Sequence, residues 1–330
     1  MGYNGKRVLV TGAGGFIGSH LAEELVTAGA QVTAFVHYNA RGDTGNLGYL
    51  SAPIRDGAEV VLGDVRDPFM VRSVARSQDI VFHLAALIGI PYSYHAPHSY
   101  VETNVHGTLN VLQAALEAGV GRVVHTSTSE VYGTALYVPI DEKHPLQPQS
   151  PYAASKVAAD SMAMSYFLSF GLPVATIRPF NTFGPRQSAR AVIPTILSQL
   201  VRRLKVVTIG SLDPVRDFTY VKDIVRAFMI VAESDAAVGQ VTNVGSGKAV
   251  TIKELLDHCC RITGHQPAIH ADETRVRPER SEVMRLLCDN TKAADTLGWR
   301  PKVPFEEGLK HTLEFVAQHP ELFRPERYAI

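Results

Sequence analysis

The chain has 330 residues, 45% of them hydrophobic and 19% charged, an ordinary globular composition that excludes a mostly disordered protein. Lys plus Arg and Asp plus Glu both number 32, so the formal net charge is zero, which argues against nucleic acid or an anionic membrane as the main partner. Three cysteines, Cys259, Cys260 and Cys288, have no metal-ligand spacing and the adjacent pair is poorly placed to bridge itself, so a reduced, cytoplasmic protein without bound metal is expected.

Residues Met1 to Arg7 are polar and lack the charged-then-apolar pattern of a signal segment. No apolar run approaches the roughly 20 residues of a membrane span. At roughly 150 residues per domain, the length suggests about two domains or one with an appended lobe. In chain order, Arg7 to Thr11 is a short β-branched run followed by Gly12, Gly14, Gly15 and Gly18 and a helical pattern from Phe16 to Ala28. Further strands are expected at Gln31 to Val36, Glu59 to Leu62, Ile80 to Leu84 and Arg122 to Thr126, with helical patterns between them, notably Ser99 to Ala118. Strands that alternate with helices read as an α/β, doubly wound parallel sheet. Pro173 to Arg178 and Gln240 to Val244 extend it, with a helix from Lys222 to Glu233 before the last strand. After Pro179 the strand–helix rhythm loosens. We therefore divide the chain into a sheet domain of residues 1–180 and 218–249 and a smaller, substrate-binding lobe of residues 181–217 and 250–330. Such a lobe would close over the carboxyl ends of the strands, where open α/β sheets bind ligands.

The segment VLVTGAGGFIGSHLAEEL joins strand, turn and helix. Gly12 permits a tight turn, Gly15 lets the backbone approach a pyrophosphate, and Gly18 lets the helix pack on the strand; the helix N-terminus offers amides to the phosphates. That strand–turn–helix context points to dinucleotide binding at GxxGxxG spacing. An acid that would hold the adenosine ribose is expected at the end of the second strand, but that end reads Val36-His37-Tyr38-Asn39. His37 and Arg41 could accept a 2′-phosphate, or Asn39 could contact the ribose, so NAD against NADP stays open. Asp64, after the third strand, reads either as an adenine contact or as a turn or cap residue.

Tyr152 and Lys156 lie four apart in SPYAASKVAADSMA, on one face of a helix that starts near Pro151. A lysine ammonium and a positive nicotinamide favour phenolate over phenol. Such a tyrosine takes a proton from a sugar hydroxyl as hydride leaves the same carbon. Alone the pair is common surface texture. With it, HTSTSEVYG brings Thr128, Ser129 and Glu130 to the end of the fifth strand.

These segments, with GDVRD, VFHLAA, NVHGTLNVL, RPFNTFGPRQ, RDFTYVKD and NVGSG, make the chain resemble an extended short-chain dehydrogenase/reductase of the nucleotide-sugar epimerase/dehydratase family. The resemblance covers nearly the whole length. It implies a Rossmann-type sheet, NAD (NADP being the alternative) as cofactor and a nucleotide-diphosphate sugar as substrate. It implies catalytic roles for Thr128, Ser129, Glu130, Tyr152 and Lys156. The dinucleotide would be lined by Gly12, Gly15, Phe16, Ile17, Gly18, His37, Asp64, Val65, Leu84, Ala85, Ala86, Tyr152 and Lys156. The sugar nucleotide would meet Ser93, Asn181, Arg190, Arg216 and Arg277. By the same analogy, the helix Ser99 to Ala118 and the one that begins at Tyr152 would form a homodimer interface.

Members of this family first oxidise the sugar at C4. A 4,6-dehydratase then needs a base for the C5 proton and an acid for the departing O6. Glu130 fits that base, whereas epimerases usually lack a Glu there. UDP-glucuronate decarboxylases also carry Thr-Ser-Glu and are the alternative, with a 4-epimerase or a 5,6-dehydration further off. The stretches LIGIPYSYHAP, TALYVPIDEKHPLQPQSPY, RQSARAVIPTI and RPERSEVMRLLCDN look most similar to dehydratases that act on UDP- or GDP-N-acetylglucosamine in legionaminic-acid-type pathways. A non-catalytic dinucleotide-sensing protein would have lost the Tyr–Lys pair.

Some residues read both ways. Asn104 resembles the family's structural Asn, or is a solvated helix residue. His83 reads as a core histidine and Trp299 as packing. Arg186 is a phosphate contact or a solvated charge. Arg216 forms an ion pair with Asp217 or a fork for a diphosphate.

Overall fold

The computed structural model describes residues 2–272, 275 and 278–324. Its strands are β1 (Arg7–Thr11), β2 (Gln31–His37), β3 (Ala58–Gly63), β4 (Ile80–His83), β5 (Arg122–Thr126), β6 (Val174–Pro179), β7 (Asn181–Phe183), β8 (Val206–Ile209), β9 (Val215–Tyr220), β10 (Val241–Val244), β11 (Ala249–Thr251) and β12 (Ala268–Ala271). Its α-helices are α1 (Phe16–Thr27), α2 (Ala52–Asp56), α3 (Pro68–Ala75), α4 (Ile90–His95), α5 (Pro97–Tyr100), α6 (Gly107–Ala118), α7 (Pro151–Phe170), α8 (Val192–Val201), α9 (Val221–Glu233), α10 (Ile252–Thr263), α11 (Thr291–Leu297) and α12 (Phe305–Gln318).

Seven strands form one sheet in the order β10-β6-β5-β4-β1-β2-β3, every neighbour parallel. The doubly wound expectation holds. Side chains alternate across such strands, and both faces are apolar because helices cover both. Val8 and Val10 join the core on one face with Leu21 and Leu25 of α1 and Ile224 and Phe228 of α9. Leu9 between them joins the opposite core with Val71 of α3, Val111 and Leu112 of α6 and Ala163 of α7. The strand order reverses between β1 and β4, and the carboxyl ends on either side of that switch point flank the crevice where such sheets bind ligands.

Local chemistry sets the helix starts. Ser150 caps α7 by accepting from the Ala153 amide at 3.1 Å, and Pro151 occupies the first turn, where no amide partner is needed. Asp67, not Asp64, caps α3. The expected helix from Ser99 to Ala118 is interrupted: Val101–His106 widens into a π turn between α5 and α6. The turn carries Asn104, which is fully buried and clasps the Leu87 backbone through both amide atoms, at 2.8 Å and 2.9 Å. A solvated role for Asn104 is excluded; π turns are frequent at functional sites.

The remaining strands form a β11-β9-β7 sheet and a β12-β8 pair. The 217/218 and 249/250 seams drawn from sequence fall within β9 and β11. Residues 284–289 lace these parts to the main body: Val215 bonds Met284 and Leu286, and Ile140 bonds Leu287 and Asp289. Trp299 is buried, its indole N–H donating to the Asp223 carbonyl at the start of α9, as a packing residue should. No described helix is long and apolar enough to cross a membrane, and no cluster that could hold a metal occurs among the described residues.

Candidate active site

The glycine loop leaves β1 at Thr11 and enters α1 at Gly15. Gly12 has φ +72°, and a Cβ there would stand 2.8 Å from the Ala85 amide nitrogen. A Cβ at Gly18 would stand 2.2 Å from the Gly12 carbonyl oxygen, so only glycine lets helix and turn meet. No side chain caps Gly15, which leaves the first amides of α1, from Phe16 and Ile17 on, directed at the crevice. This chain therefore fits a dinucleotide pyrophosphate. Leu84, Ala85 and Ala86 follow β4 on the other side, where Thr11 fixes them by accepting from the Leu84 and Ala85 amides, each at 3.2 Å.

Asn46 donates its amide to the Gly14 carbonyl at 2.9 Å and so ties the loop after β2 to the glycines, while Asn39 folds its side chain onto Asp43 and Arg41. Asn39 is thus spent on its own loop, which sequence spacing gave no means to see. His37 is exposed at the end of β2, 3.9 Å from Asp64. Asp64 takes the turn role foreseen as one of its options, accepting from the Arg66 amide and gripping its guanidinium, whose hydrogen bonds hold the carboxyl below its usual range. Val65 beside it is buried against Gly107 of α6.

Tyr152 and Lys156 are both buried on α7. Thr128, which caps the turn Ser129–Tyr132 at the end of β5, stands close enough to the Tyr152 phenol to lower it. One expectation is reversed in the protein alone. Burial pushes the Tyr152 phenol well above its ordinary value of 10.0; the Thr128 contact pulls it down, and Glu130 adds to the rise. Lys156 does not bring about a phenolate here. Burial instead lowers Lys156 from 10.5 to about 8, opposed by Asp160. Glu130 is half-buried, and its carboxylate has no hydrogen-bond or ion-pair partner among the described residues. Ser129 is buried beside it. His83 is a core histidine, as expected: Thr108 donates to the Asn104 carbonyl and so accepts from His83 Nε2, which leaves Nδ1 to accept from Thr11 at 2.8 Å.

The substrate-side residues are more scattered. Ser93 is fully buried, its hydroxyl donating to the Ile90 carbonyl at 2.7 Å. Asn181 Oδ1, at the start of β7, is buried without a hydrogen-bond partner among the described residues, a polar atom awaiting a donor. Arg190 is exposed on the loop before α8, and its guanidinium fills the space that a side chain at Gly89 would need. Arg216 does not pair with Asp217: adjacent strand residues face opposite sides, so Arg216 meets Glu282 at 3.0 Å while Asp217 binds the Ser246, Gly247 and Cys288 amides. Arg186 is not a solvated charge: it is buried against His20 and Glu23 of α1, and its Nη1 has no hydrogen-bond partner among the described residues. Arg277 lies outside the described residues.

Residues 9–312 match the family described as GDP-mannose 4,6 dehydratase. The chain is 37% identical over 317 residues to a UDP-glucose 4-epimerase of Mycolicibacterium smegmatis, covering 94% of this chain and 98% of that one. It is 34% identical over 314 residues to a dTDP-glucose 4,6-dehydratase of an Actinoplanes species, with 93% and 96% covered. A dTDP-glucose 4,6-dehydratase of Streptomyces venezuelae, solved with NAD bound, superposes with a TM-score of 0.86 at 32% identity, covering 97% of this chain and 100% of that one.

Proposed function

The chain belongs to the GDP-mannose 4,6 dehydratase family of nucleotide-sugar dehydratases and epimerases, and from that premise we propose that it is an NAD-dependent 4,6-dehydratase of UDP- or GDP-N-acetylglucosamine. The observation that carries this reading is the unpartnered Glu130 carboxylate, close enough to Tyr152 to raise its phenol. An epimerase needs no such base, since it only returns the hydride to C4. The 37% identical epimerase and the 34% identical dehydratase leave that choice to the site chemistry.

Gly12, Gly15, Gly18 and the opening amides of α1 would hold the dinucleotide, with Leu84 to Ala86 across the crevice. Bound NAD supplies a hydride acceptor and, later, a donor. Tyr152 removes the proton of the sugar 4-hydroxyl; Thr128 lowers its phenol, and the positive nicotinamide of bound NAD beside the Lys156 ammonium would supply the further stabilisation of phenolate that the protein alone lacks. Glu130 removes the C5 proton, made acidic by the 4-ketone, and delivers a proton to the departing O6 as water forms, with Ser129 alongside. With the hydride that NAD would supply at C6, Glu130, reprotonated from solvent, would return a proton to C5 and so complete a 4-keto-6-deoxy sugar. Asn181, Arg190, Arg216 and Arg277 are proposed to hold the nucleotide diphosphate, and Ser93 to border the hexose. A homodimer through residues 97–118 and α7 is proposed as well; Val101, Leu168 and Phe170 leave apolar surface exposed on those helices.

The test is incubation with UDP-GlcNAc, GDP-GlcNAc and UDP-glucuronate in heavy water, read by mass spectrometry. Loss of one water from a GlcNAc nucleotide, with deuterium at C5, supports the proposal and names the nucleotide. Loss of CO2 from UDP-glucuronate makes the enzyme a decarboxylase instead. A C4 epimer of unchanged mass, seen by NMR, makes it an epimerase.

A further inference from the structure

We propose that Asp160, on the turn of α7 after Lys156, is the positioning residue that keeps the Lys156 ammonium charged, with Arg178 and His125 locking its carboxylate in place. The proposal rests on the reading of Tyr152 and Lys156 given above. Tyr152, Lys156 and Asp160 follow one another at intervals of four, so all three lie along one face of α7. Asp160 is on the inner side, 8% exposed, behind the end of β5. Both its oxygens are committed. Oδ1 accepts from His125 Nε2 at 2.9 Å; Oδ2 accepts from the Ser127 hydroxyl at 2.6 Å and from Arg178 Nε and Nη2 at 3.2 Å and 2.9 Å. Arg178 is itself buried and fixed by Tyr132, whose hydroxyl accepts from Nη1 and donates to Asn243. Its guanidinium carbon stands 5.0 Å from the centre of the Tyr132 ring.

The arrangement goes beyond what holding one arginine requires. The carboxylate can only accept, so His125 presents Nε2–H to it and is left with a bare, buried Nδ1 that has no hydrogen-bond partner among the described residues. Burial keeps both His83 and His125 neutral. The charged and titratable groups within electrostatic reach of Lys156 are Asp160, one turn on along its own helix, His83 on β4 and His125 on β5; Arg178 on β6 pairs with Asp160, and Tyr152 lies one turn back on α7 with Glu130 acting on its phenol. Of these, Asp160 alone supports the lysine charge against burial. Arginine cannot shed its proton in such a place, so any change in the buried charge balance falls on Lys156. Burial raises the Asp160 carboxyl, but the hydrogen bond from His125 and the charges of Arg178 and Lys156 outweigh it and hold it at about 2, so the anion persists across the working range.

The experiment follows the Lys156 ε-carbon by NMR in lysine-labelled full-length protein, with the resonance assigned from Lys156→Arg. Asp160→Asn is expected to lower the Lys156 midpoint by ~1 pH unit or more. The double variant Asp160→Asn/Arg178→Gln relieves the buried guanidinium and is expected to give a smaller fall of the same sign. Arg178→Gln alone leaves the carboxylate facing Lys156 and is expected to raise the midpoint. Opposite signs from two neighbouring substitutions are not what a loss of structure produces. A midpoint unmoved or raised by Asp160→Asn, or unmoved by Arg178→Gln, in protein whose circular dichroism is native overturns the proposal. The titration needs no substrate, so it stands apart from the identity of the sugar. Where turnover is measurable, the alkaline limb of kcat/KM is expected to move with the midpoint.

Discussion

Tyr100 lays its ring edge-on against Tyr152, the centroids 6.2 Å apart and the planes at 76°. Packing of this kind, with Ile90 beside both rings, holds the tyrosine whether or not its hydroxyl has a partner. Tyr152→Phe keeps the ring and loses only the proton carrier. It is expected to bind NAD as the parent does while turnover falls by roughly 10²–10⁴. Cofactor fluorescence titration beside steady-state assays checks both halves.

Glu130 serves a later step, so its removal should separate the chemistry. Glu130→Gln is expected to retain oxidation at C4 and to lose elimination, with kcat down by roughly 10²–10⁴. The reduced-nicotinamide absorbance would then rise on mixing with substrate and persist, and C5 would exchange deuterium slowly. Rapid decay of that absorbance, as in the parent, would place the base elsewhere.

Lys156 is placed at a cost in stability. Its proton leaves at about 8 in the folded chain against an ordinary value of 10.5. Between those values the unfolded chain binds more protons, so stability rises with pH there, and the penalty is full below about 8. Lys156→Met is therefore expected to be inactive and to melt above the parent at pH 7, by calorimetry. The gain should shrink as the pH approaches 10.

Gly18 and Gly48 form a matched pair for the glycine cradle. A methyl at Gly18 meets the Gly12 carbonyl at 2.2 Å, whereas one at Gly48 meets nothing within 4 Å. Gly18→Ala is expected to cost about 1–3 kcal/mol and to weaken NAD binding, as overpacking does. Gly48→Ala should leave both near their starting values in denaturant and binding titrations.

Much of the sheet could be read from the chain because its strands are buried on both faces and so appear as unbroken apolar runs. Arg7–Thr11 and Arg122–Thr126 match to the residue. The strand ends that carry Gly12, Thr128 and Glu130 follow from that, as does the shared helix face of Tyr152 and Lys156. What escaped depends on partners far off in sequence. Arg216 finds Glu282 at a separation of 66 residues, and Arg186 finds Glu23 at 163. The π turn at Asn104 leaves no periodic trace, since six residues cannot shift an apolar pattern visibly. Asp160 did leave one: a lone acid in an otherwise small and apolar stretch, one turn past Lys156. A buried carboxylate of that kind calls for a buried cation, which Arg178 in the sixth strand supplies.

The lacing of Ile140 to residues 287–289 and of Val215 to residues 284–286 has a consequence for synthesis. When the ribosome has released β6, six of the seven main strands can already pair, and Tyr152 and Lys156 already lie on a formed helix. The segment that fastens the stretch around Ile140 emerges more than a hundred residues later. A nascent chain thus acquires its nucleotide cradle well before its reaction chamber is fastened. In the interval α9 is also missing from one face of the sheet, so apolar surface that Ile224 and Phe228 will cover stays open, the kind of surface on which a chaperone acts.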